Sequence, residues 1–180
     1  MSEGRKRTYA EAFQMLASLP RPVPEINGLP REQVEAYSQQ IGISFPGELV
    51  DWLCLVNGVY VDAQALIGIG AFKGWSMEDF YTSHPRWLEK KYIPVALDGS
   101  GDYFVIVTNQ EYGPGSPVVF MDQADLEKPA YIVASSFEIF VREFIRKEKM
   151  GGAWPFNPEA VSRIDPKVFD FKNIALPWEG

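Results

Sequence analysis

The residues whose types and spacing come nearest to chemistry are Asp98-Gly99-Ser100-Gly101-Asp102, set between the apolar runs YIPVAL and YFVIVT. Asp98, Ser100 and Asp102 fit the first, third and fifth ligand positions of a calcium loop. The fit ends there. Tyr103 stands at the sixth position, where the loop's sharp turn needs glycine, and Asn109 at the twelfth, where a bidentate glutamate is expected. Asp98 and Asp102 also form a carboxylate pair of the kind glycoside chemistry uses, but acids within one turn ordinarily bond their own backbone and water. Ser100 lies in a hairpin connection rather than in the G-x-S-x-G strand–helix elbow that exposes a nucleophile. Any triad would have to use His84, the sole histidine, and the sole cysteine, Cys54, sits in the apolar run WLCLV as a small buried hydrophobe would. With one residue of each type, neither an intramolecular disulfide nor a Cys/His zinc site can be assembled. Gly68, Gly70 and Gly74 miss the dinucleotide spacing, and the next helix signal, Ser76-Met77-Glu78-Asp79, carries acids that would repel a phosphate. These residues lead us to expect no catalytic group, metal or cofactor.

The elements that hold these residues read as follows. Tyr92 to Thr108 has the pattern of a β-hairpin, with turn glycines between two runs rich in Val, Ile and aromatics. In the second run Tyr103, Val105 and Val107 alternate with Phe104, Ile106 and Thr108, so both faces are largely apolar. Such a strand is covered on both sides or leaves one face open as a binding surface. Further strands are predicted at residues 117–122 and 131–134. Residues 59–75 read as a short strand and a glycine-shaped loop, and Ser83-His84-Pro85-Arg86-Trp87 as a loop with a solvated histidine.

Helices flank the strands. Thr8-Tyr9-Ala10-Glu11 is a capping-box pattern opening a helix with Ala12, Phe13, Leu16 and Leu19 on one face, followed by the proline-rich connector RPVPEING. Pro30 suits a helix start, Val34, Tyr37 and Ile41 share a face, and Gly42 suits a left-handed cap with Ile43 beyond it. The next helix opens near Pro46, buries Leu49, Leu53 and Val56, and is predicted to end at Asn57-Gly58. Near the other end, Ser135 and Glu138 are expected as a reciprocal capping pair. They lead into a helix whose apolar face is Phe137, Phe140, Val141, Phe144 and Ile145, stopped by Gly151. The tail to Gly180 holds five aromatics, Trp154, Phe156, Phe169, Phe171 and Trp178, and residues 158–163 suit a helical turn or two.

At 180 residues and 46% hydrophobic composition the chain is long and apolar enough for one domain with a substantial core. The formal charge of −7 argues against a nucleic-acid binder, which needs a basic stripe, and suits a basic protein partner. No run approaches membrane-span length and the N-terminus lacks a signal-peptide core, so a cytoplasmic location is expected.

Taken in order, these features resemble the SUKH superfamily, whose type member is the yeast cell-wall-synthesis regulator of the Smi/Knr group. The resemblance is carried by Leu29 at a helix start, Ile41-Gly42 at its end, Phe45-Pro46 opening the next helix, Leu49 to Leu55 and Asn57-Gly58. It continues through Tyr92 to Ala96, the DGSGD turn, Val118 to Asp122 and Ala134 to Phe140. The resemblance implies an α+β fold: N-terminal helices, a central antiparallel β-meander of three or four strands, and an amphipathic helix packed on the sheet. It divides the chain into an N-terminal helix and connector (1–28), a SUKH-like domain (29–150) and an aromatic C-terminal extension (151–180). It also implies a domain without catalytic residues. Bacterial members are mostly immunity proteins that bind and neutralise a cognate polymorphic toxin, often a nuclease, and fungal members are regulatory binding proteins. A regulatory scaffold and an enzyme of unknown class are the alternatives. For a basic toxin partner, Trp75, Trp87 and Tyr103 are the expected anchors and Asp98, Asp102 and Asp122 the steering charges.

Overall fold

A computed structural model describes residues 3–18, 27–61 and 63–179, so most of the proline-rich connector, and Leu19 before it, lie outside the described residues. The described elements are helices α1 (Glu3–Ala17), α2 (Arg31–Ile41), α3 (Gly47–Leu53), α4 (Met77–Ser83), α5 (Arg86–Glu89), α6 (Phe137–Met150) and α7 (Pro158–Ile164). The strands are β1 (Val59–Val61), β2 (Gln64–Leu66), β3 (Tyr92–Leu97), β4 (Tyr103–Val107), β5 (Val118–Met121) and β6 (Tyr131–Ala134). A 3-10 turn follows at Pro166–Asp170. All six strands form one antiparallel sheet in the order β1-β2-β3-β4-β5-β6, so each strand pairs with its neighbour in sequence. The fold is α+β as expected, but the meander is longer than three or four strands. Where a single short strand was expected, β1 and β2 pair antiparallel with each other, and β2 docks on β3 through Ala65↔Leu97 and Leu66↔Ala96.

Strand β4 decides how the two layers are arranged. Successive side chains of a strand point to opposite faces. Phe104 lies 5.1 Å from Phe140 and 5.7 Å from Phe144 of α6, ring to ring. Its neighbour Tyr103 lies 5.5 Å from Phe80 of α4 and 5.3 Å from Trp87 of α5. Helix α6 therefore covers one face of the sheet, and α4 with α5 covers the other. This accounts for the two apolar faces of YFVIVT.

Against α6 the packing is dense. Phe137, Phe140, Val141, Phe144 and Ile145 are all buried. Each buried phenylalanine contributes about 1.5–3 kcal/mol from area removed from water. The helix starts one residue later than the capping pattern suggested. Ser136, not Ser135, is the N-cap, its Oγ accepting from the Ile139 amide. Ser135 is drawn off by the buried Asp165, whose carboxylate accepts from the Ser135 amide at 2.7 Å and from its hydroxyl. The Phe137 amide donates to Oε1 of Glu48 at 2.8 Å, so a carboxylate carried by α3 completes this helix terminus.

Helix α1 lies against α6 and α3 through buried Tyr9, Ala12 and Leu16. Tyr9 donates to the Glu48 carbonyl at 2.7 Å and meets Trp52 edge-on, and Arg5 pairs with the buried Asp51 at 2.8 Å. Asp51 also accepts from Arg31 of α2. Burial raises the Asp51 pKa, but the two guanidinium hydrogen bonds outweigh it and hold the carboxylate below its usual value. The Thr8 capping box does not form. The helix already runs from Glu3, and the Thr8 hydroxyl donates back to the Gly4 carbonyl within it. Helix α2 ends at Gly42 with φ 71°, the left-handed cap its sequence calls for. Helix α3 stops at Leu53, short of Asn57-Gly58, and the Leu53 carbonyl accepts from the Leu29 amide ahead of α2. The Asn57 side chain donates to the Ile69 carbonyl and accepts from the Ile69 amide, bracing the glycine-rich loop.

Beyond α6 the chain returns along the sheet edge. The Ile132 amide of β6 donates to the Ala175 carbonyl, and the Lys172 amide to the Tyr112 carbonyl. Trp154 is buried beside Phe140, and Phe156 meets Tyr131. The Ile132–Ala175 bond covers part of the β6 edge, which would otherwise be a template for another chain.

Candidate functional site: an aromatic cleft beside the hairpin turn

On the sheet face under α4 and α5 a cleft opens at the tip of the β3–β4 hairpin. There Gly74, Trp75, Phe80, Ser83, His84, Leu97, Gly99, Gly101 and Tyr103 line a cleft of about 410 Å³. Three segments build it. The hairpin supplies Leu97 and Tyr103, which are register partners across β3 and β4. The turn supplies the backbone of Gly99 and Gly101. Gly99 has φ 85°, and a Cβ there would lie 2.6 Å from the Ala63 carbonyl oxygen, so the turn packs on the β1–β2 hairpin in a way only glycine permits.

Loop 68–76 and α4 supply the opposite wall. The Ser76 hydroxyl accepts from the Asp79 amide while the Asp79 carboxylate accepts from the Ser76 amide, a complete capping box. Hydrogen bonds from the Ser76 backbone and hydroxyl, and from the Gly74 and Trp75 amides, pull the Asp79 carboxyl below its usual pKa. That carboxylate thereby fixes the loop carrying Trp75, whose indole stays 46% exposed at the rim. The acids of this first turn serve the helix cap and the loop, with Glu78 accepting from the Gly70 amide.

The floor is a cluster of rings. His84 sits 4.6 Å from Trp87 and 5.4 Å from Tyr103, and Tyr103 meets Phe80, His84 and Trp87 edge-on. His84 is thus not the solvated loop residue expected. It caps the C-terminus of α4, with its ring against Trp87 and Tyr103, and burial lowers its pKa. Burial followed by the Asp102 charge raises the Tyr103 hydroxyl.

The six expected partner-binding residues divide into two groups. Trp75 and Tyr103 face the cleft together. Trp87 does not reach the surface: it is 1% exposed and its Nε1 donates to the Leu126 carbonyl, so it supports Tyr103 and His84 from behind. Asp98, Asp102 and Asp122 gather around the turn. Asp98 Oδ1 accepts from the Ser100 and Asp102 amides, Asp102 Oδ1 from the Gln123 amide and Asp122 Oδ1 from the Ala124 amide. The bond from the Gln123 amide to Asp102, with one from the Gln123 side chain to the Ser100 carbonyl, joins the DGSGD turn to the β5–β6 connection. Their shared field reaches Tyr131 of β6, whose hydroxyl is pushed up to about 12 by burial first and then by Asp102, Asp98 and Asp122.

Phe80, Ser83 and His84 were not expected at a binding site from the sequence, which placed His84 in a solvated loop. Phe80 was accessible to it, since a capped helix at Ser76 puts Phe80 one turn in, on the face that meets the sheet. His84 carried no such signal. Among the described residues, no three His, Cys, Asp or Glu side chains converge as metal ligands would, and no helix is long and apolar enough to cross a membrane. The arrangement offers aromatic faces in a cleft beside an acidic turn, which suits recognition of a partner group.

No curated protein matches the chain. A family model does: the description SMI1 / KNR4 family (SUKH-1) matches residues 28–143, from just ahead of α2 to the middle of α6, and the chain belongs to that family.

Proposed function

We propose that this chain is a non-enzymatic binding domain that captures a basic protein, specifically an immunity protein neutralising a cognate toxin domain. The observation that carries this reading is the cleft itself: an exposed Trp75 and a half-buried Tyr103 stand beside a turn bearing Asp98 and Asp102. Aromatic anchors at the centre with charges at the rim are the usual composition of a protein-binding hot spot. The net charge of −7 favours rapid encounter with a basic partner. Asp98, Asp102 and Asp122 supply steering and Trp75 and Tyr103 supply contact area, with Trp87 holding the floor in place.

The test is co-expression with the toxin candidate encoded beside this chain, followed by purification in moderate salt. A stable complex that Trp75→Ala weakens at least tenfold supports the reading. A chain that captures several unrelated proteins and no adjacent toxin is a regulatory scaffold instead. Turnover of a substrate that disappears in a folded Asp98→Asn or Asp102→Asn variant would replace both with an enzyme.

A further inference from the structure

We infer that the groove between α1, α6 and α7 is a second binding site, which takes a small, multiply charged oxyanion, either a phosphate ester or a polycarboxylate. The site is separate from the aromatic cleft and independent of the partner proposed for it. The groove has a volume of about 770 Å³, within the range of small-molecule sites. Its cations are Arg142, Arg146 and Lys149, at i, i+4 and i+7 on one face of α6, and Arg163 of α7. Two carboxylates, Glu11 and Glu143, also line it, which leaves an excess of two positive charges. Glu11 is already paired with Arg7. Glu143 is 2% exposed and serves two guanidinium groups at once. Its Oε1 accepts from Nε of Arg142 at 2.7 Å, and its Oε2 lies 3.6 Å from Nη1 of Arg146. The buried carboxylate holds both arginines at the groove, and contact through Nε leaves the terminal Nη donors of Arg142 for a ligand. Lys149 and Arg163 pair with no carboxylate among the described residues. Lys149 donates to the Ser18 hydroxyl and Arg163 to the Glu159 carbonyl.

A second observation points to an acceptor oxygen beside the same residues. A cavity of about 50 Å³ shares Glu143, Arg146 and Ile164 with the groove and is lined as well by Trp154. Trp154 is 6% exposed, and its indole Nε1 is buried with no acceptor among the described residues. An indole N–H can only donate, and a buried donor is costly until an oxygen reaches it. Guanidinium, ammonium and indole donors have one ligand type in common, an oxyanion, and the arginine fork matches carboxylate and phosphate alike. Charge also limits the ligand's size. The chain as a whole carries −7, so its surface beyond the groove repels an extended polyanion such as a nucleic-acid backbone. A ligand confined to the groove meets the local positive excess instead.

The probes are pyrophosphate and citrate, titrated into the full chain by calorimetry. The indole N–H resonance of Trp154, identified by its absence in Trp154→Phe, supplies a local readout. At least one probe should bind saturably and move that resonance along the same curve. Tighter binding of pyrophosphate assigns a phosphate ligand, and tighter binding of citrate a polycarboxylate. The double variant Lys149→Gln/Arg163→Gln removes the two cations that hold no carboxylate. Both side chains are exposed, and thermal unfolding checks that the variant folds. Its affinity for the better probe should fall about tenfold. The charge-matched variant Lys73→Gln/Lys128→Gln, exposed and outside the groove, should stay within about twofold of the native chain. Should the first variant fail to fold, Arg146→Gln leaves Arg142 on Glu143 and is expected to weaken binding about threefold. The inference is overturned by no saturable binding of either probe, by an unmoved Trp154 resonance, or by equal losses in the two charge-matched variants. Tighter binding of a short DNA duplex than of either probe overturns it as well.

Discussion

On one face of the sheet Phe104 meets Phe140 and Phe144 of α6, and Trp154 from beyond the helix closes over Phe140. On the other face the adjacent residue, Tyr103, meets Phe80, His84 and Trp87, and the packing stops at a cleft rimmed by an exposed tryptophan. Both faces are aromatic, and they differ in the length of the helix that covers them. Helix α6 has 14 residues and a continuous apolar face, whereas α4 and α5 have seven and four. A short helix pair cannot span the sheet to the hairpin tip, so the last rings on that side face a cleft. Aromatic composition alone therefore does not separate a core from a binding surface. The reach of the covering element does.

That contrast breaks most sharply at Phe140. It is fully buried between Phe104, Phe137, Phe144 and Trp154, and Phe140→Ala should cost about 3–5 kcal/mol in urea unfolding. Equal loss from an alanine at Trp75 would show that the two faces are not different in kind. Trp75→Ala is expected to change stability by no more than about 0.5 kcal/mol, as for an exposed side chain. Its effect should instead be a loss of partner affinity of at least tenfold, measured by calorimetry. The smallest expected effect concerns His84. Burial depresses its folded pKa below the ordinary value of 6.5, so the unfolded chain takes up the proton first as pH falls. Its stabilising contribution is complete above pH 6.5 and is lost as pH drops through the folded pKa. His84→Gln should flatten that part of the stability profile.

Much of the scaffold was legible because it is written locally. Pro30 and Gly42 bracket α2, the period of Phe137, Phe140, Val141 and Phe144 marks α6, and turn glycines between two Val/Ile runs mark the central hairpin. Errors fell where a distant residue competed for a local group. Ser135 lost the cap of α6 to Asp165, thirty positions away, and the carbonyl of Leu53, where α3 stops short of Asn57-Gly58, accepts from the Leu29 amide. The capping pattern at Thr8 was overridden because α1 begins five residues earlier, where Arg5 reaches Asp51.

The site divides along the same line. By itself the sequence determined that DGSGD is a hairpin turn without the ligands of a calcium loop, that the flanking strand is apolar on both faces, and that the order of elements resembles the SUKH pattern. These follow from spacing and residue type, which act over a few residues. Only the tertiary structure decided that Trp87 is buried while Trp75 is exposed, and that His84 joins Tyr103 in one ring cluster. It also decided that Gly99 and Gly101 form a wall of the same cleft. Those outcomes depend on how far α4 and α5 reach across the sheet, a packing distance that no local pattern of residues encodes.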